Sequence, residues 1–269
     1  MKDQGSTPKI LQGAFVLGIA MLLSKLIGTL QKIPLQNMGG DVVFGIYNAV
    51  YPFYTLMITL AVAGLPAAIS KFVSEDAARG GRLEGIRVLR ISTLVLALFG
   101  LILGTTVFMA APWIGVWIDN SSVVPAIRAS SLALLFVPVM SGLRGYFQGY
   151  QNMVPTALSQ IIEQSIRVAV MIVLLVYLTN REAGAETIAA GALVGSAAGG
   201  AAGLFVMLRY WAVHRKKKVN LSSKVLDVTG LEEGDEVSRN KLPVTERKAD
   251  VESSWSILKR LLLYAIPIC

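Results

Sequence analysis

Apolar residues in this chain come in long unbroken runs. No Asp, Glu, Lys or Arg occurs in residues 42–70, 91–118 or 187–208. Each run is at least as long as the ~20 residues a helix needs to cross a hydrocarbon core ~30 Å thick. The pattern predicts six membrane spans, at about 10–35, 44–72, 88–113, 123–147, 156–179 and 187–211. A charged segment follows, 214–256, with "RKKK" at 215–218 and "EEGDE" at 232–236. It lacks apolar periodicity and is read as a charged loop. The last run, "ILKRLLLYAIPIC" at 257–269, is too short to span and is read as the start of a seventh helix, cut off at Cys269. The fold class is therefore an all-α polytopic membrane protein. Its expected organisation is a six-helix N-terminal lobe over 1–213, a loop over 214–256 and the opening of a second lobe over 257–269.

Composition agrees. Hydrophobic residues make up 54% of the chain and charged residues 16%, against about a quarter charged in soluble domains. The mean hydropathy is +0.60. A soluble reading would require several fully buried helices with almost nothing to cover them. Lys2 and Lys9 precede the first run as in a signal peptide, but no small-residue cleavage site follows, so the run reads as a first span. The net charge of +8 would point to nucleic acid on a soluble chain. Here it is sorted by topology, and no nucleic-acid partner is expected. The loops after the second, fourth and sixth spans hold Lys71, Arg79, Arg82, Arg87 and Arg90, then Arg144, then Arg209, Arg215 and three lysines. The loops between carry few cations: Lys32, none beside Asp119, and Arg181. By the excess of basic residues on the cytoplasmic side, the N-terminus and the even-numbered loops face the cytoplasm.

Polar residues inside the spans are the candidate chemistry. In the fifth span Thr156, Gln160, Glu163, Gln164 and Arg167 fall at i, i+4, i+7, i+8 and i+11, one face of a helix. Ile161, Ile162, Ile166 and Val170 form the other face. Arg167 lies roughly 16 Å along the helix from Thr156, close to mid-bilayer. A charge facing lipid there costs from ~2.5 to over 10 kcal/mol. The stripe therefore either lines a polar cavity or is a self-neutralised pair, Glu163 with Arg167, that ties two helices together. Lys25 in "MLLSKLIGTLQ" is a second embedded cation, with no acid within four residues. It either snorkels to the interface or joins the cavity. A cavity holding both Lys25 and Arg167 suits an anion such as phosphate or pyrophosphate. Arg144, at the edge of the fourth span, completes the expected substrate-binding set of Lys25, Arg144, Gln160, Glu163, Gln164 and Arg167.

Other features read as architecture. Gly191, Gly195, Gly199 and Gly203 repeat every fourth residue in the sixth span, a ridge that lets another helix approach closely. Pro34, Pro52, Pro66 and Pro138 interrupt spans, and each permits a bend. "GYFQGYQNMVP" at 145–155 offers a tight turn. "STPKILQGAFVLGI" near the N-terminus and "SSWSILKRLLLYAIPI" near the C-terminus open alike, as repeats of a transporter do. The single cysteine permits no intrachain disulfide. The lone His214 stands beside the basic cluster without metal-ligand spacing, and there is no phosphate-binding nucleotide loop. No catalytic residue, metal or cofactor is expected, and the chain does not read as an enzyme.

"LRGYFQGYQNMVPTALSQIIEQSIRV" and "YPFYTLMITLAVAGLPAAISKFVSED" resemble the stage V sporulation protein B and polysaccharide-biosynthesis flippase family, within the multidrug/oligosaccharidyl-lipid/polysaccharide exporter superfamily. The likeness covers nearly all of residues 9–213. It implies two pseudo-symmetric helical lobes around a central cavity, with alternating access, in the cell membrane. It also implies a substrate, an undecaprenyl-pyrophosphate-linked oligosaccharide, and a role in spore-cortex or cell-wall assembly. The related lipid II flippases open with a Ser-Arg-x-x-Gly pattern whose arginine lines the cavity. Here it reads Ser24-Lys25-Leu26-Ile27-Gly28, with Lys25 in the arginine's place. Their second basic residue, just before a proline of the second span, is absent: Val50 and Tyr51 precede Pro52. Asp41 only approximates their acid at the start of that span. Expected partners are thus the lipid-linked substrate, the bilayer and a second lobe. Two other classes compete with this reading. A cation-coupled multidrug antiporter prefers an acidic cavity, and Glu163 is the one embedded acid. A scaffold acting through 214–254 would lose its role on deletion of that loop, whereas a flippase would keep transport.

Overall fold

The structure, a computed structural model, describes residues 7–78 and 84–229. The described residues are helical throughout apart from short turns: α1 (Thr7–Leu30), α2 (Lys32–Val62), α3 (Leu65–Ala78), α4 (Glu84–Trp117), α5 (Val124–Ser131), α6 (Val137–Gly149), α7 (Val154–Asn180) and α8 (Ala185–Thr229). Five apolar stretches are long enough to cross a membrane. The first, Leu11–Ala78, runs for 68 residues, roughly 100 Å of helix and about three times the hydrocarbon thickness. It is long enough for two crossings. The chain breaks inside it at Gly40, whose φ of +77° with ψ of 177° is open to a residue without Cβ.

Besides the one-residue turn at Gln31 that divides α1 from α2 inside the first expected span, two of the expected spans are not continuous helices. The second stops at Val62, passes through Ala63 and Gly64 (φ +69°), and restarts as α3 with Pro66 in its first turn. The fourth unwinds into a 3-10 turn at Leu132–Leu135 and restarts as α6 with Pro138 in its first turn. In both, proline sits where its missing N–H needs no partner. Pro52, by contrast, lies inside α2 without ending it. The third span is longer than expected, beginning at Glu84 and ending at Trp117. The sixth continues without a break to Thr229, so residues 214–229 are helix where a loop was expected. Residues 230–256 of the expected loop, and 257–269, lie outside the described residues.

Apolar burial is divided into two clusters. One gathers Leu35, Val43, Tyr47, Val107, Ala126, Ile127, Leu175 and Leu193. The other gathers Ile69, Val73, Leu89, Leu96, Met140, Leu143, Tyr146 and Phe147. Tyr51, Ile58 and Val62 of α2 pack against both. The breaks in the second and fourth spans fall between the clusters. Gly145 seats α6 directly on the restart of α3: a Cβ there would stand 2.5 Å from the carbonyl oxygen of Pro66.

Candidate functional site

The turn that ends α6 and starts α7 positions the polar residues. α6 closes at Gly149, Gln151 takes φ +57°, and the Asn152 N–H donates back to the Phe147 carbonyl at 3.0 Å. Met153 and Pro155 then open α7. The "GYFQGYQNMVP" turn is thus present as expected. It brings α6 back beside α7 and places Arg144 against the polar stripe.

The stripe is organised around a single carboxylate. Arg167 Nη2 donates to Glu163 Oε1 at 2.8 Å, one turn along α7, and Arg144 Nη2 donates to Glu163 Oε2 at 2.9 Å from α6. Arg144 Nε also donates to Ser159 Oγ at 2.9 Å, and that hydroxyl donates to the Thr156 carbonyl at 2.8 Å. All three charged side chains are largely buried, with 11–17% of each exposed. Two guanidinium charges thus share one anion and leave a net positive charge. Arg167 Nε is buried and without a partner. Beside the triad lies a cavity of about 510 Å³, which Arg144, Gln160, Glu163, Gln164 and Arg167 all line. Both span breaks border it, through Val62 and Ala63 on one side and Val137 on the other.

The structure therefore combines the two readings open at the level of sequence. The stripe does tie two helices together, and it also lines a cavity. Five of the six expected residues meet there. Lys25 does not: it is exposed, on a face of α1 that also exposes Leu22 at 64% and Leu26 at 60%. Its neighbour Ser24 is the α1 residue that lines the cavity, because successive helical positions diverge by about 100°.

The backbone of α7 is locked from behind by α8. A Cβ on Gly199 would stand 2.6 Å from the Glu163 carbonyl oxygen and 2.9 Å from Arg167 Cβ. At Gly195 it would meet the Arg167 carbonyl oxygen at 2.5 Å, and at Gly203 the Sδ of Met140 at 2.5 Å. The glycine ridge is a packing seam, as expected, and the turn of α7 that it grips carries Glu163 and Arg167.

Sequence reading missed Ser159, although it shares a helix face with Glu163 four positions on. It also missed a polar contact between spans: Gln31 Nε2, beyond the end of α1, donates to Tyr47 Oη at 3.0 Å, and both residues are buried. Tyr47 stacks on Tyr51 with centroids 5.4 Å apart.

Residues 10–228 match the family model described as polysaccharide biosynthesis protein. Among curated proteins of Bacillus subtilis strain 168, the uncharacterized membrane protein YabM is 32% identical over 260 residues, covering 97% of this chain and 44% of YabM. The lipid II flippase MurJ is 35% identical over 215 residues, covering 76% and 39%. Stage V sporulation protein B is 30% identical over 218 residues, covering 79% and 42%. The chain spans about two-fifths of the length of these relatives. No solved structure matches.

Proposed function

Because this chain belongs to the polysaccharide biosynthesis protein family, we propose that it forms the first lobe of a cell-membrane flippase for an undecaprenyl-pyrophosphate-linked oligosaccharide. In this reading the N-terminus faces the cytoplasm, a second lobe completes the central cavity, and alternating access carries the lipid-linked group across. The process served is cell-wall or spore-cortex assembly. The flippase chemistry is one of binding and release; no covalent bond is made or broken.

One observation carries the reading beyond family membership. Arg144 and Arg167 share Glu163 at the wall of a cavity, so the wall is electropositive deep in an apolar fold. A guanidinium there attracts an anion far more strongly than at a wet surface. Its planar fork matches phosphate oxygens two at a time. Gln160 and Gln164 add neutral hydrogen-bonding groups of the kind a sugar or amide needs. The same geometry speaks against a cation-coupled antiporter, since Glu163 is already held by two cations.

The test is reconstitution. Liposomes carrying this lobe with its second lobe are expected to translocate a fluorescent undecaprenyl-pyrophosphate-linked sugar. Arg144→Ala with Arg167→Ala is expected to slow transport at least about tenfold, the order of one or two lost charge-assisted hydrogen bonds. Undiminished transport by a folded double variant would overturn the reading.

A further inference from the structure

Glu163 is placed unusually for a residue whose task is only to neutralise. One carboxylate is divided between two guanidinium groups on different helices, one bond to each. A single phosphate could present oxygens to the same two forks. Neither arginine is saturated by Glu163: Arg167 keeps a buried Nε with no partner, and each fork gives the carboxylate a single hydrogen bond. The two arginines also differ in their freedom. Arg167 shares α7 with Glu163, and its backbone is gripped by Gly195 and Gly199. Arg144 reaches across from α6, which restarts after the unwound turn at Leu132–Leu135, and its Nε donates to Ser159 of α7.

We propose that Glu163 is a built-in stand-in for the anionic group of the ligand, holding both arginines while the cavity is empty and yielding Arg144 to an incoming phosphate or pyrophosphate. The proposal deepens the reading given under Proposed function and rests on it for the identity of the ligand. An empty cavity with two unpaired guanidinium groups would leave two like charges uncompensated in a low-dielectric setting, a strongly unfavourable state. The carboxylate removes that state. It also makes binding an exchange of one anion for another. The exchange has a mechanical side. The Arg144–Glu163 bond is one of two that join Arg144 of α6 to α7, the other going to Ser159, so a ligand that takes Arg144 from Glu163 loosens that joint, and occupancy is thereby read out as a change between helices.

The sign of one substitution separates this from plain neutralisation. Glu163→Gln keeps the size and one acceptor oxygen but removes the competing charge. In nanodiscs of zwitterionic lipid, the full chain is titrated calorimetrically with inorganic pyrophosphate in one arm. In the other arm it is titrated with undecaprenyl pyrophosphate supplied in the lipid. Glu163→Gln is expected to bind inorganic pyrophosphate about five- to tenfold more tightly than the unsubstituted chain, and Arg144→Gln about tenfold more weakly. Glu163→Asp, which keeps the charge on a shorter arm, is expected to fall between and covers the case in which Glu163→Gln does not fold. Unchanged or weaker pyrophosphate binding in a folded Glu163→Gln protein, or no gain in Glu163→Asp where the glutamine variant fails to fold, overturns the proposal. Tighter binding of inorganic pyrophosphate with no response to the lipid-borne form supports the stand-in and overturns the lipid-linked reading.

Discussion

α7 and α1 each carry a cation deep in an apolar run, and the fold treats the two oppositely. Arg167 on α7 is bonded to Glu163, backed by the glycines of α8 and turned to a cavity. Lys25 on α1 lies on an exposed face, with Leu11 72% and Phe15 68% exposed on the same helix. Both positions look alike in hydropathy, each a cation inside an apolar run. What separates them is the neighbour: a helix of small residues lies against α7 and fixes its rotation, whereas the face of α1 bearing Lys25 is left exposed among the described residues. Depth in a span therefore shows that a charge needs a partner, and packing decides which charge finds one among the described residues.

Four substitutions break or sharpen that contrast. The largest effect is expected from Glu163→Leu, which strands two buried guanidinium groups. The loss is about 3–5 kcal/mol, seen as a large drop in the denaturation midpoint of the detergent-solubilised protein. Next comes Gly199→Val. The added side chain meets the Glu163 carbonyl and the Arg167 side chain at 2.6 and 2.9 Å and should force α8 off α7 at a cost of about 2–3 kcal/mol. A midpoint equal to that of the parent would show that the seam is loose. Tyr47→Phe probes the foot of α1, where Gln31 would lose its acceptor while staying buried. About 1–2 kcal/mol is expected, and a matching Gln31→Leu in the same background should recover part of it. Smallest is Lys25→Ala, expected to change stability by less than about 0.5 kcal/mol because the side chain is exposed. Its effect on transport is the sharper measurement: a fall in rate without a fall in stability would place Lys25 on the substrate's path.

The period of the stripe in α7 was legible because a 3.6-residue repeat needs only sequence, and five of the six expected site residues do meet at one cavity. The glycine ridge was legible for the same reason: small residues at every fourth position can face only one way. That Ser24 and not Lys25 lines this cavity was not legible, because the two differ by a rotation that no hydropathy pattern fixes; helix rotation is set by neighbours distant in sequence. The breaks after Val62 and Ser131 were half legible. Pro66 and Pro138 mark both, but Pro52 carries the same signal and α2 runs through it. The extension of α8 to Thr229 was hidden because a charged helix end carries no apolar period to detect.

The coincidence of the two restarts has a mechanical consequence. α3 and α6 begin anew beside one cavity and touch backbone to backbone where Gly145 meets Pro66. Neither can tilt toward the other without driving atoms together, so this contact sets how closely the two restarted helices can shut against each other.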